Sequence, residues 1–482
     1  MRLKIFSKHF VSLAITCLLA APMAFGQGGG GGGGGGTGGG GGGTGGGGGA
    51  AGVAASAAGV AGIDIDAGGV LRVTHVDPKI AFAERMATLQ NQPRGTVTTS
   101  PLRKVSLNRL EKFVAGQQSQ GKALTDEVLS LAGLSRLEYV FYMPDSQDIV
   151  IAGPAELWHR DVNNRMVGLN SGRATLKLED LVVALRAFAP NDGATSTIGC
   201  SIDPTQEGLM RMKRYHSEYG PQISRGLDPR QFAMGLKQSL GMQTISIKGV
   251  PATTHFAQVL VEADYRMKLI GLGLEDPIIP LASWVKRSNN SGTTSSMQRW
   301  YFQADYNSVA TNESGTAMRL QGRGVKLSGE KETVQSDGKR KSVGAGGDRA
   351  SNEFTKEFTA KFDDLASVIP VFFEMRNLFD ISIAAAFIQD RNLYEKSGWN
   401  LGIFADENKF RVNTAVGVTQ VETAVNAVWR DSQLVTPIGG GVHIAARKLI
   451  DPSTTKVDKE VDMQRGKVAA PADLAADQWW WD

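Results

Sequence analysis

Between Gly241 and Glu275 the chain reads GMQTISIKGVPATTHFAQVLVEADYRMKLIGLGLE, and its apolar and polar positions change period once. From Gln243 to Lys248, Thr244 and Ser246 alternate with Ile245 and Ile247, the period of two of a strand with one buried face. Gly249 and Pro251 break that strand, and Thr253 or Thr254 can cap a helix after the break. Phe256, Leu260, Ala263, Met267 and Ile270 then fall three and four apart, one apolar stripe along a helix that Gly271 and Gly273 end. The pattern predicts a strand, a turn and a helix.

The same reading predicts elements on both sides of this unit. Ile63–Val73 alternates around Ala67-Gly68-Gly69, which predicts a hairpin, and Asp77-Pro78 starts a helix to Leu89. Helices are expected over 106–118, 125–132, 178–188, 204–219 and 229–240, with Asp203 as the cap of the fourth. Strands 137–142 and 148–152 flank the turn Pro144-Asp145-Ser146, and a further strand is expected over 197–202. Strands 297–306 and 317–327 precede a polar loop at 328–351 that reads as mobile. Phe354, Phe358, Phe362, Leu365, Ile369 and Phe372 trace one helical face with a kink at Pro370, and a second apolar helix covers 381–394. A helix over 421–429, a glycine turn at 439–441 and a strand over 442–446 complete the set. Adjacent strands mixed with helices, without regular βαβ alternation, predict an α+β fold: a mixed sheet covered by amphipathic helices.

Composition changes the picture mainly at the two ends. Arg2, Lys4 and Lys8, then apolar Phe10–Ala21, then Ala24-Phe25-Gly26 form the pattern of a secretory signal over residues 1–26. Its apolar core is shorter than the roughly 20 residues of a membrane span, and Cys17 lacks the usual lipid-anchor context. Residues 27–61 are almost wholly glycine and alanine, a disordered low-complexity linker. Without a strand before it and a helix after it, this run is no phosphate loop. One large domain is expected over 62–450, and residues 451–482, polar and ending in Trp479-Trp480-Trp481-Asp482, read as a disordered tail.

The formal charge of +4 includes the three cations of the first 26 residues, so the remainder stands near +1. That removes any general argument for nucleic acid as a partner. Beyond the signal only Cys200 remains, so no internal disulfide is possible and stability has to come from the core.

Catalytic signatures are sparse. The histidines at 75, 159, 216, 255 and 443 form no HExxH, Cys200 has no second cysteine, and no GxSxG occurs. No metal or cofactor is expected. Cys200 reads as a core thiol, because Asp203 places negative charge between it and the next helix. Lys326, Lys331, Lys339, Arg340 and Lys341 are interleaved with acids and suit solvent better than an anion. The weak catalytic candidates are His255, Glu262, Arg266 and Asp264. The first three share the helix face opposite the apolar stripe, with Glu262 and Arg266 at ion-pair spacing. A solvated helix face is the plainer reading of the same residues.

The segments CSIDPTQEGL, GVPATTHFAQVLVEADYRMK, RNLFDISIAAAFIQ and QVETAVNAVWRDSQLVTPIGGGVHI together resemble an uncharacterised family of secreted proteins from planctomycete bacteria, known only as a domain of unknown function. The resemblance spans residues 62–447. It implies export, to the periplasm, envelope or exterior, and carries no substrate or catalytic residue. The expectation is an exported non-enzymatic binding or scaffold protein of unknown protein or envelope partner. The alternative is a secreted hydrolase with a composite site on the 254–270 helix.

Overall fold

The computed structural model describes residues 62–74, 78–91, 99–190, 195–223, 225–288, 297–335, 337–345, 348–426, 428–430, 433–435 and 437–482. The chain divides into two units, residues 1–56 and 57–482. The signal pattern, the glycine-rich leader and His75 lie outside the described residues.

The fold is α+β. Its centre is a mixed sheet of 14 strands among the described residues. From one edge its path runs Ile63–Ile65, Val70–Val73, Gln420–Glu422, Met242–Lys248, Ile198–Pro204, Pro437–Ile444 and Met297–Thr311. It continues through Ala317–Val334, Tyr139–Met143, Asp148–Glu156 and Thr99–Ser106 to Trp480–Trp481 at the other edge. The long hairpin of Met297–Thr311 and Ala317–Val334 joins the two halves. Its first strand pairs in parallel with Pro437–Ile444 through residues 298–303 and with Thr455–Val457 through residues 309–311. Between these stretches the register shifts at Asp305, Tyr306 and Ser308, opposite Gly322 and Gly324 at φ 120° and 95°. Backbone at these φ values is free of strain only for glycine, and the bulge bends the hairpin so that one strand serves two neighbours.

Two buried helices fill the interior. His255–Leu272 is capped by the Thr254 hydroxyl, which accepts from the Ala257 N–H, and ends at Gly273 in the left-handed conformation. Val371–Asp390 (VFFEMRNLFDISIAAAFIQD) is buried along its whole length up to Ile388. A helix buried on every side belongs in a core, and this one packs against both His255–Leu272 and Leu178–Ala187.

Five sequence expectations differ from the structure. Helix Gln206–Ile223 is capped by Thr205, whose hydroxyl accepts from the Gly208 N–H at 3.0 Å; Asp203 ends the strand before it. Residues 328–351 hold the end of one strand and the whole of Arg340–Ala345, paired antiparallel. Arg340, expected in solvent, pairs across strands with Asp203 at 2.6 Å and with buried Glu332 at 3.4 Å, whereas Lys339 and Lys341 stay exposed. The helix expected over 421–429 is strand at Gln420–Glu422, wedged between Val70–Val73 and Met242–Lys248, with strand again at Val428–Arg430. There the sheet overrode a helical spacing of valines. Gly439–Gly441 is not a turn but the middle of a central strand. A Cβ on Gly440 would lie 2.4 Å from the Asp264 carboxylate, so the helix can approach only a glycine.

The fifth difference is the tail. Residues 451–482 form strand Thr455–Val457, helix Lys459–Arg465 and strand Trp480–Trp481, the last paired with Lys104 and Val105. Val461, Val468 and Trp481 pack on Tyr139 and Phe141, on the far face of the sheet. Arg103 grips both oxygens of Asp482 at 2.8 Å and lies over the Trp480 ring. The terminal tryptophans close a sheet edge, which explains residues that polarity alone marked as disordered.

Candidate functional site

The central helix was expected to keep one polar face in water. Instead every residue of His255–Leu272 except Leu269 is buried. Sheet strands Ile198–Pro204 and Pro437–Ile444 cover one side, and helices Leu178–Ala187 and Val371–Asp390 cover another. Charged side chains on such a helix must find partners inside the protein.

His255, Glu262 and Arg266 do so in one continuous chain of ion pairs and hydrogen bonds, and Asp264 and Lys268 lie apart from it. His255 Nδ1 lies 2.9 Å from Asp180 Oδ2, and its Nε2 lies 2.8 Å from Lys177 Nζ. Both nitrogens are satisfied if Nδ1–H donates to Asp180 and Nε2 accepts from Lys177. Burial pulls the Lys177 ammonium below its usual range, against the pull of Glu179 and Asp180. Glu374, from the facing helix, stands 3.7 Å from Lys177 and pairs with Arg165. Arg165 Nη2 donates to Glu262 at 2.7 Å, and Glu262 accepts from Arg266 Nε at 2.9 Å. Arg266 then donates to Glu275 at 2.7 Å and to the carbonyls of Gly62 and Thr74 at 3.1 and 2.9 Å.

The outer end of this chain forms part of the wall of a cleft of approximately 490 Å³. Arg165, Glu262, Arg266 and Glu275 contribute charge, while Leu274, Ile278 and residues 368–371 contribute apolar surface. Lys79, Asn163 and Asp276 complete the polar lining.

The four candidate residues therefore separate. Glu262 and Arg266 meet at the cleft, and His255 is buried one helical stretch away, outside the cleft lining. Asp264 points to the sheet, beside the Gly441 backbone and Lys268, whose ammonium donates to the Ile202 carbonyl at 3.0 Å. Burial pushes the Asp264 carboxyl up to about 7. Cys200 is a buried free thiol, raised well above its ordinary value by burial and by Asp264, which suits the packing role expected of it. No group of three or more His, Cys, Asp or Glu side chains is placed to hold a metal among the described residues.

Sequence reasoning missed Asp180, Lys177, Arg165, Glu374 and Glu275. One signal was available: Glu374, Arg376 and Asp380 interrupt a helix that is otherwise apolar on every face. A charge in such a place requires a buried partner.

Residues 200–284 match the family model described as Protein of unknown function (DUF1598). The matched stretch carries the central helix with Glu262, Arg266 and Glu275, so much of the cleft lies within it. No curated protein matches the chain, and no solved structure matches it. No described helix is long and apolar enough to cross a membrane.

Proposed function

We propose that the chain is an exported, non-enzymatic binding protein that holds its ligand in the cleft beside the central helix. Export rests on the signal pattern of residues 1–26 and on the resemblance to secreted planctomycete proteins. Binding without catalysis rests on one observation. Each charged group that the cleft takes from the central helix is held by fixed partners: Glu262 by two guanidiniums, Arg266 by two carboxylates and two carbonyls. Groups so fixed present a rigid polar surface but are poor at exchanging protons.

The Asp180–His255 pair is the feature that would favour a hydrolase, since a carboxylate orienting a histidine is half of a triad. The neighbour of Nε2 is Lys177, not a hydroxyl, and His255 is 6 % exposed, which argues against that use. The test is turnover. The full chain is incubated with esters, glycosides and peptides, and product is measured by mass spectrometry. The account expects unchanged substrate. Product that disappears in His255→Ala, with that variant still folded, would overturn it.

A further inference from the structure

The loop that leaves the central helix, Leu274-Glu275-Asp276-Pro277-Ile278-Ile279-Pro280, has two features that packing does not require. Leu274 and Ile278 line the cleft and stay 48 % and 53 % exposed. Ile278 also sits at φ 65°, in the left-handed region, where a β-branched residue is a true outlier. The two residues before it restrain the backbone there. The Ile278 N–H donates to Asp276 Oδ1 at 2.9 Å, and Pro277 fixes its own φ just before it. Glycine would relieve the strain and a polar residue would suit the exposure; isoleucine does neither. Strain of this kind persists where the surroundings fix it, and it concentrates at ligand sites.

The lining limits what could bind. Glu262, Glu275 and Asp276 are balanced in the lining by Lys79, Arg165 and Arg266, so the cleft offers no net charge to a phosphate or a fatty carboxylate. Arg165 and Arg266, already paired to carboxylates, oppose a metal cation. No aromatic ring lines the cleft for stacking on a sugar or a base. What remains is a ligand with apolar groups on one side and neutral hydrogen-bond donors and acceptors on the other. The volume lies within the range of about 300–1,000 Å³ common for such sites.

Resting on the binding reading, we infer that the cleft takes a short extended peptide segment carrying apolar side chains. One or two of those side chains sit on Leu274, Ile278 and the turn at 368–371. The peptide amides face the less buried polar groups of the lining, Lys79, Asn163 and Asp276, which between them donate and accept.

Affinity selection tests this directly. The full chain is mixed with a library of N-acetylated tetrapeptide amides varied over apolar, polar and charged residues, and retained peptides are read by mass spectrometry. Retained peptides are expected to carry Leu, Ile, Val or Phe at one or two positions. Leu274→Ser and Ile278→Gly should each weaken retention about tenfold by removing part of one apolar contact. Both positions are exposed, so the variants should remain folded, and circular dichroism checks this. Retention without apolar preference, or retention unchanged in both variants, overturns the inference. Retention of nothing from the library, while the chain still captures another ligand class, sinks the peptide class alone. Peptides recovered cleaved sink the non-enzymatic reading as well.

Discussion

Asp180 holds the imidazole of His255 at 2.9 Å, and both side chains are only 6 % exposed. The pair joins helix Leu178–Ala187 to the first turn of the central helix, two elements far apart in sequence. It is the link of the chain farthest along from the cleft, whose lining does not include it.

Breaking that link should cost stability. His255→Ala removes a hydrogen bond from the buried Asp180 carboxylate, and leaving a buried polar group without its partner costs about 1–3 kcal/mol. Urea unfolding at neutral pH should show a loss of that order in His255→Ala. A smaller loss is expected in the double variant with Asp180→Asn, which removes the charge left behind.

Gly440 should tolerate no side chain. Its added Cβ would meet the Asp264 carboxylate at 2.4 Å and the Lys268 stem at 2.6 Å, between a central strand and a buried helix. Gly440→Ala should destabilise by about 1–3 kcal/mol through overpacking. At Gly439 the nearest groups stand at 3.2 Å and are side-chain atoms of Arg299, Arg340 and Asp203. Gly439→Ala should therefore cost clearly less, and thermal melting of the two variants makes the comparison.

The tryptophan tail should behave as core. Trp479 and Trp481 are 3 % and 6 % exposed. Trp481→Ala should cost about 3–5 kcal/mol, as large-to-small core changes do. It should also open the chain after Gly466 to limited proteolysis, whereas a disordered tail would be cut equally in both proteins.

Asp264 should give stability a pH dependence of unusual sign for a carboxylate. In the unfolded chain it ionises near its ordinary value of 3.8, and in the folded chain burial raises this to about 7. Between those values the folded state holds more protons, so this group's contribution to stability is lost as pH rises. Asp264→Asn removes the effect. Its urea midpoint should fall less than that of the wild type between about pH 4 and pH 7. An identical decline in both proteins would refute the assignment.

Much of the fold was legible in the sequence, and the reasons are specific. The strand and helix around Thr254 were readable because their signals are local: alternation, a capping hydroxyl and a terminal glycine. The helices expected over 106–118 and 229–240 also form, as Leu107–Ser119 and Pro229–Leu240, with Ser106 and Asp228 as their caps. What failed depended on distant chain. Val421 had helical spacing but fills a gap between two strands from other regions. The glycines at 439–441 had the look of a turn, and only the helix pressed against them gives their reason.

The candidate site was half legible. Glu262 and Arg266 were readable as an i,i+4 pair, and they do pair. Their burial was not, because it is imposed by Val371–Asp390, more than a hundred residues later. Asp180 and Glu374 escaped notice for the same reason. Each sits within an apolar stretch where only the third dimension reveals its partner.

The central claim is that the cleft holds a ligand and leaves it unchanged. Native mass spectrometry of the full chain, titrated with a peptide recovered by affinity selection, tests it most directly. The account predicts one intact peptide per chain, bound about tenfold more weakly by Ile278→Gly, with its mass unchanged after prolonged incubation. Cleaved peptide, or equal binding by wild type and Ile278→Gly, would contradict it.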